Sequence, residues 1–180
     1  MFTQYRTRKI IRLQDHDYSK DGWYFVTVCV GNRTKFFGDI HNGIMCVNRL
    51  GSIAYRQWEW LFQQYKYIRS EGFVVMPNHI HGILVIDREL YNIQCDGRSR
   101  RGESRLTPTN TNRDHIKSLF ELVGAFKTTS SKLIHRTGFP QFQWQRSFYE
   151  HIIRDEKSFR NIYSYIINNP TLWNRDRNNQ

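Results

Sequence analysis

The alternation of apolar and polar positions divides the chain into short elements of two periods. Residues 22–30 (GWYFVTVCV) are aromatic and β-branched without a charge, the signature of a buried strand. Residues 36–40 and 43–47 read as two short strands around a turn over 39–43. From 49 to 65 the period changes: Leu50, Ile53, Ala54, Trp58, Leu61 and Phe62 keep helical spacing, which predicts an amphipathic helix. Two strands follow nearly back to back, 72–76 and 79–86, parted by Pro77-Asn78. A helix is expected over 115–136, carried by Ile116, Leu119, Phe120, Val123 and Phe126, and a strand or hairpin over 142–154. Asp155 is placed to cap a final helix that runs to 168 or 169 and stops at Pro170. Strands and helices are mixed rather than strictly alternating, so the expected fold is α+β: a mainly antiparallel, ferredoxin-like sheet with helices on one face.

Three stretches lack this periodicity. Residues 1–21 form a basic N-terminal arm with Arg6, Arg8, Lys9 and Arg12, and residues 171–180 a polar tail. Residues 88–114 are polar, Gly/Ser/Thr-rich and basic, with Arg98, Arg100 and Arg101, and read as a long loop inside one domain over 22–170. In 180 residues, 27 Lys+Arg stand against 16 Asp+Glu, a net charge of +11, and 15% of residues are aromatic. That balance suits a protein that neutralises phosphates and stacks bases. Three cysteines (Cys29, Cys46, Cys95) without a CxxC pair argue against a disulfide scaffold or a Cys-based zinc module and for reduced thiols. No apolar run approaches the roughly 18–20 residues of a membrane span, and the start has no signal-peptide core, so a cytoplasmic, nucleoid-associated protein is expected.

Candidate chemistry sits in two places. On a strand, His79 and His81 project to one face at i and i+2, roughly 6–7 Å apart at Cα, and can converge on one divalent ion. Ile80, Leu84 and Ile86 face the other way. On the final helix, Phe159, Ile162, Tyr163 and Ile166 form the apolar stripe, which makes Tyr163 a packing residue. Tyr165 lies off that stripe and shares a polar flank with Asn169, one turn later. The bland alternatives are a pair of hydrogen-bonded histidines, a boundary tyrosine and an asparagine that ends a helix.

The motifs P-N-H-I-H-G-I-L, W-Q-R-S-F-Y-E-H-I-I-R-D-E and Y-I-I-N-N-P, in that order, resemble the HUH-type tyrosine transposases, above all the REP-associated ones and their insertion-sequence relatives. The similarity extends from about residue 22 to 170. It implies a single-stranded DNA endonuclease and strand transferase that cuts at hairpins through a 5′-phosphotyrosine. It also implies Tyr165 as nucleophile and one Mg²⁺ or Mn²⁺ held by His79, His81 and Asn169. Two imidazoles alone would suit Zn²⁺, Mn²⁺ or Ni²⁺ better than Mg²⁺. The implied partner is a REP-like or insertion-sequence hairpin, bound by a monomer or homodimer. Arg6, Arg8, Lys9 and Arg12 match the family's tag-reading arm, and Arg98, Arg100, Arg101, Trp144 and Arg146 are candidates to grip DNA, with core packing as the plainer role for Trp144. His151 and Lys157 are near enough in sequence to assist the phenol. The alternative is a domesticated, non-catalytic DNA-binding regulator. A zinc hydrolase is disfavoured because no HExxH or similar motif is present.

Overall fold

The computed structural model describes residues 13, 16–89, 116–176, 178 and 179. The arginines and lysine of the arm (Arg6, Arg8, Lys9, Arg12) and those of the loop (Arg98, Arg100, Arg101), together with Cys95, lie outside the described residues. In chain order the elements are β1 (Gly22–Cys29), β2 (Gly38–His41), β3 (Ile44–Val47), α1 (Arg49–Gln64), β4 (Ile68–Met76), β5 (His79–Ile86), α2 (Leu119–Arg136), β6 (Tyr149–Ile153) and α3 (Glu156–Asn168), with short 3-10 turns at Gly31–Arg33 and Trp173–Arg175.

Four strands form one sheet in the order β4-β5-β1-β6, and each neighbouring pair is antiparallel. Strand β5 therefore lies between β4 and β1, and β1 between β5 and β6. This is the ferredoxin-like arrangement of two interlocked β-α-β units. The hairpin β2–β3 stands apart and turns at Asn42 (φ 52°) and Gly43 (φ 77°), the left-handed pair that a tight two-residue hairpin turn demands.

Local chemistry explains the helix starts. Asn48 caps α1 by accepting the N–H groups of Leu50 and Gly51 at 2.9 and 3.0 Å. Ser118 and Glu121 form a reciprocal capping box on α2. Asp155 accepts the Ser158 N–H at 2.8 Å at the head of α3, as its position predicts.

The helices divide between the two faces of the sheet rather than sharing one. Helices α1 and α2 cover the face of Tyr24, Val26, Val28, Ile80, Leu84 and Ile86, where Trp58, Leu61, Leu122 and Phe126 complete the larger core. Helix α3 lies over the opposite face, where Ile166 packs with Phe25, Ile83, Val85 and Ile153. The cause is β5, whose eight residues are all buried: a central strand apolar on both sides has to be covered on both sides.

Two further expectations shift. Strand β4 begins at Ile68, four residues before the expected 72. Its first half is charged because β4 is an edge strand, and Arg69 there pairs with Glu71 and Asp87 at its margin. The segment after α3 is not a bare polar tail: Trp173 is buried and turns back onto the sheet end. At the other terminus, residues 16–21 join the fold, with Tyr18 buried against Phe120. Among the described residues neither Cys29 nor Cys46 forms a disulfide. No described helix is long and apolar enough to cross a membrane.

Candidate metal and tyrosine site

Alternation along β5 places His79 and His81 on the α3 face at the end of the sheet, 0% and 2% exposed. Their rings meet nearly edge-on with the two Nε2 atoms 2.9 Å apart. Phe25 stacks on His81 and Trp173 on His79, so aromatic walls fix both rings. The outer ring nitrogens are held too: His79 Nδ1 lies 2.7 Å from Asn78 Oδ1, and His81 Nδ1 lies 2.8 Å from Thr27 Oγ1.

Helix α3 brings the tyrosine. Its apolar face is pinned by Ile166, and one residue earlier Tyr165 leans off that face across the sheet end. Its hydroxyl reaches His81 Nε2 at 3.2 Å within the same chain. Half-open to solvent, Tyr165 keeps its ring edge-on to Phe25. Tyr163, expected in the packed stripe, is instead 42% exposed and rests over Gly72 on the edge strand. The reason is that α3 crosses the margin of the sheet there, so its stripe outruns the surface available to cover it.

Asn169 caps the C-terminal end of α3 and is buried; its Oδ1 has no hydrogen-bond donor among the described residues. Beyond it, the Trp173–Arg175 turn delivers a residue that sequence reasoning missed. Asp176 Oδ2 lies 3.7 Å from His79 Nε2 and 3.9 Å from His81 Nε2, on a carboxylate 1% exposed. Its backbone-proximal neighbour Asn178 donates an N–H to Oδ1 at 2.7 Å, whereas Oδ2 finds no donor among the described residues. The ligand atoms of His79, His81 and Asp176 all lie within 4.8 Å of one another. The one sequence signal for this turn is Trp173, a lone large apolar residue in a polar terminus.

The electrostatics are those of a cation site. Burial, together with the neighbouring His81 ring and Arg33, holds His79 well below the ordinary imidazole value despite Asp176, so it is neutral at pH 7. Burial pushes the Asp176 carboxyl up, but His81, the Asn178 N–H, His79 and Asn169 together outweigh it and leave the carboxyl below its ordinary value. An ionised carboxylate, a neutral imidazole and an undonated carboxamide oxygen thus crowd one dry spot. Buried acceptors without donors are costly unless a cation satisfies them, and His79, His81, Asp176 and Asn169 fit that role.

The remaining candidates lie elsewhere. Trp144 is buried in the larger core and donates its indole N–H to Ser130 at 3.0 Å, as a packing residue does. His151 and Lys157 are exposed. Arg146 is exposed and lines an open concavity with Arg33, Gln143 and Gln145. A separate cleft of about 320 Å³ is bounded by Arg33, Gln145, Ser147, Asn178 and Thr27, the last of which touches His81 Nδ1.

No protein-family model matches the chain. It is 36% identical over 170 residues to a Haemophilus influenzae protein with no assigned function, covering 94% of this chain and 92% of that one. A candidate REP-associated tyrosine transposase of the same organism is 27% identical over 154 residues, covering 86% and 73%. Among solved structures, a REP-associated tyrosine transposase bound to a REP hairpin superposes with a TM-score of 0.55 at 19% identity, over 89% of this chain and 73% of that one, a likeness of fold. The three motifs and the ferredoxin-like sheet agree with these comparisons: the chain is similar in sequence to a candidate REP-associated tyrosine transposase and in fold to a solved one.

Proposed function

We propose that the protein cuts and rejoins single-stranded DNA at hairpins, with Tyr165 as the nucleophile. The observation that carries this reading is the Tyr165 hydroxyl 3.2 Å from His81 Nε2, inside a histidine–carboxylate cluster of the same chain. A divalent cation held by His79, His81, Asp176 and Asn169 would supply positive charge to the non-bridging oxygens of a scissile phosphate. The mixed nitrogen and oxygen donors suit Mn²⁺ better than two imidazoles alone would suit Mg²⁺.

The chain's own groups carry the rest. Tyr165 projects over the sheet end, so its phenolic oxygen can attack a phosphorus in line with the departing 3′-oxygen. The new bond is tyrosyl O–P; the bond that breaks is P–O3′, and the oxygen leaves as a 3′-hydroxyl. The phenolic proton passes to solvent, which the 38% exposure of Tyr165 permits, and the departing 3′-oxygen takes up a proton from solvent in its place. Phe25 and the His81 ring hold the phenol in one orientation and limit the search for the reactive geometry. The phosphodiester energy is retained in the tyrosyl ester, so a second 3′-hydroxyl reverses the step without a nucleotide cofactor. The cleft bounded by Thr27, Arg33, Gln145 and Ser147 gives a strand access to the site, and the exposed Arg146 extends it as a phosphate contact.

A REP hairpin is the partner of the relative of similar fold, and the net charge of +11 supports the same class of ligand here. Incubating the protein with a hairpin oligonucleotide labelled downstream of the cut and Mn²⁺, then resolving it under denaturing conditions, tests the reading. A protein–DNA adduct that vanishes in Tyr165→Phe supports it. Binding without any adduct identifies a DNA-binding regulator instead.

A further inference from the structure

We propose that Asn78 is a positioning residue: it locks the His79 imidazole as the Nδ1–H tautomer and thereby presents Nε2 as a bare ligand atom. The inference rests on reading His79 as a metal ligand. It deepens that reading by naming what sets the proton on the ring.

Asn78 occupies the two-residue turn between β4 and β5 and is 1% exposed. Its carboxamide nitrogen sits 2.7 Å from the Asn178 carbonyl oxygen and 3.1 Å from that of Arg33. Both partners are acceptors only, so the donating NH₂ has to face them and the carboxamide oxygen has to face the ring. That oxygen is 2.7 Å from His79 Nδ1 and can only accept. Nδ1 therefore carries the hydrogen, and in the neutral ring Nε2 does not. A flipped amide would set an oxygen against two carbonyl oxygens and an NH₂ against the ring.

The backbone restrains the lock from both sides. The Asn78 carbonyl accepts the Val30 N–H at 2.8 Å. Arg33, whose carbonyl receives the amide, has a left-handed φ of 53°, as does Asn32 before it. Such a conformation is uncommon for non-glycine residues and persists where the surroundings dictate it. The second acceptor comes from the far end of the chain, so the segment that delivers Asp176 also helps set the His79 tautomer. His81 is different. Its Nδ1 faces a threonine hydroxyl, which can donate or accept, so Thr27 by itself does not fix that ring's tautomer. A metal-binding histidine commonly donates its other N–H to a fixed acceptor, which orients the ring and sharpens its affinity. Asn78 supplies that acceptor to one histidine of the pair.

Ring ¹⁵N shifts of the ¹⁵N-histidine-labelled, metal-free protein at pH 8 give the tautomer directly, and Mn²⁺ titration gives the affinity. The unmodified chain should show a protonated Nδ1 and a bare Nε2 on His79. In Asn78→Ala the ring should become a tautomer mixture, with Mn²⁺ affinity lower by about 10–100-fold. Asn78→Asp keeps the acceptor for Nδ1–H but loses the donor to the two carbonyls; it should melt at lower temperature yet retain the tautomer and the Mn²⁺ affinity. A bare Nδ1 in the unmodified chain overturns the proposal, as does an unchanged tautomer in Asn78→Ala. So does an Asn78→Asp chain that is folded and loses Mn²⁺ as fully as Asn78→Ala. If the unmodified chain binds no Mn²⁺, the metal-site reading and the ligand half of this inference fall together. A protonated Nδ1 in that same sample still supports the lock.

Discussion

The two faces of the sheet are built from the same strands and do opposite work. On the α1–α2 face, β5 contributes Ile80, Gly82, Leu84 and Ile86 to a closed aromatic and aliphatic core. Gly82 is required there: a Cβ at that position would come within 2.5 Å of the Trp58 ring. On the α3 face the same strand shows Ile83 and Val85 to a small apolar cluster and then, toward its start, two histidines. The first face is closely filled, and the Ser130 hydroxyl within it donates to the Phe126 carbonyl and accepts the Trp144 indole N–H. The second leaves buried acceptors on Asn169 and Asp176 without donors among the described residues. A fold of this size concentrates its stability on one side of the sheet, which lets the other side carry groups that are unfavourable until a ligand arrives.

The sharpest way to break this contrast is on the α3 face. Tyr165→Phe should abolish the covalent DNA adduct while leaving hairpin binding and thermal stability close to those of the unmodified chain. Tyr163→Phe, two residues away on the exposed margin, should cleave normally. A denaturing gel and a melting curve on both variants decide it, and an adduct lost only in Tyr163→Phe would refute the assignment.

On the opposite face the large effect should be on stability alone. Trp58→Ala removes a ring stacked on Phe73 and hydrogen-bonded to Ser70 at 3.0 Å, and should cost about 3–5 kcal/mol in denaturant unfolding. Gly82→Ala should cost less, about 1–3 kcal/mol, by overpacking against Trp58. If either variant retained full stability but lost Mn²⁺ binding, the division between the faces would be wrong.

Asp176→Asn keeps the shape of the cluster and removes its charge. Mn²⁺ affinity, read by calorimetry, should fall by roughly tenfold or more, with little change in fold. An unaltered affinity would remove Asp176 from the ligand set.

The smallest effect is on pH dependence without metal. His79 is held below its ordinary value of 6.5, chiefly by burial, so the unfolded chain takes up its proton first as pH falls. Its contribution is fully present above pH 6.5 and is lost as pH drops from there toward the lowered native value, by about 1.4 kcal/mol per pH unit. Denaturant unfolding with chelator at pH 7 and pH 5.5 should show this loss, and His79→Gln should flatten it.

Much of this was legible beforehand where one period dominates a segment. Strand β5 was found to the residue, because its alternation is uninterrupted and both sides are apolar. The phase of α3 separated Tyr165 from the apolar stripe, and the structure puts its hydroxyl at His81. The phase alone misjudged Tyr163, because periodicity reports which residues share a face and not how far the opposing surface extends. The charged start of β4 hid a strand, since an edge position tolerates Arg69 and Glu71 that a central strand would exclude.

By itself the sequence determined the α+β mixture of elements, the pairing of His79 with His81 on one side of a strand, and the tyrosine on the flank of the last helix. These are local consequences of periods near 2 and 3.6, which any segment carries within itself. Only the tertiary structure decided that α3 takes the face opposite α1 and α2, that Asp176 joins the histidines, and that Asn78 is gripped by carbonyls from Arg33 and Asn178. Those contacts join residues far apart in the chain, and side-chain identity does not encode which distant backbone groups folding will bring within hydrogen-bond reach.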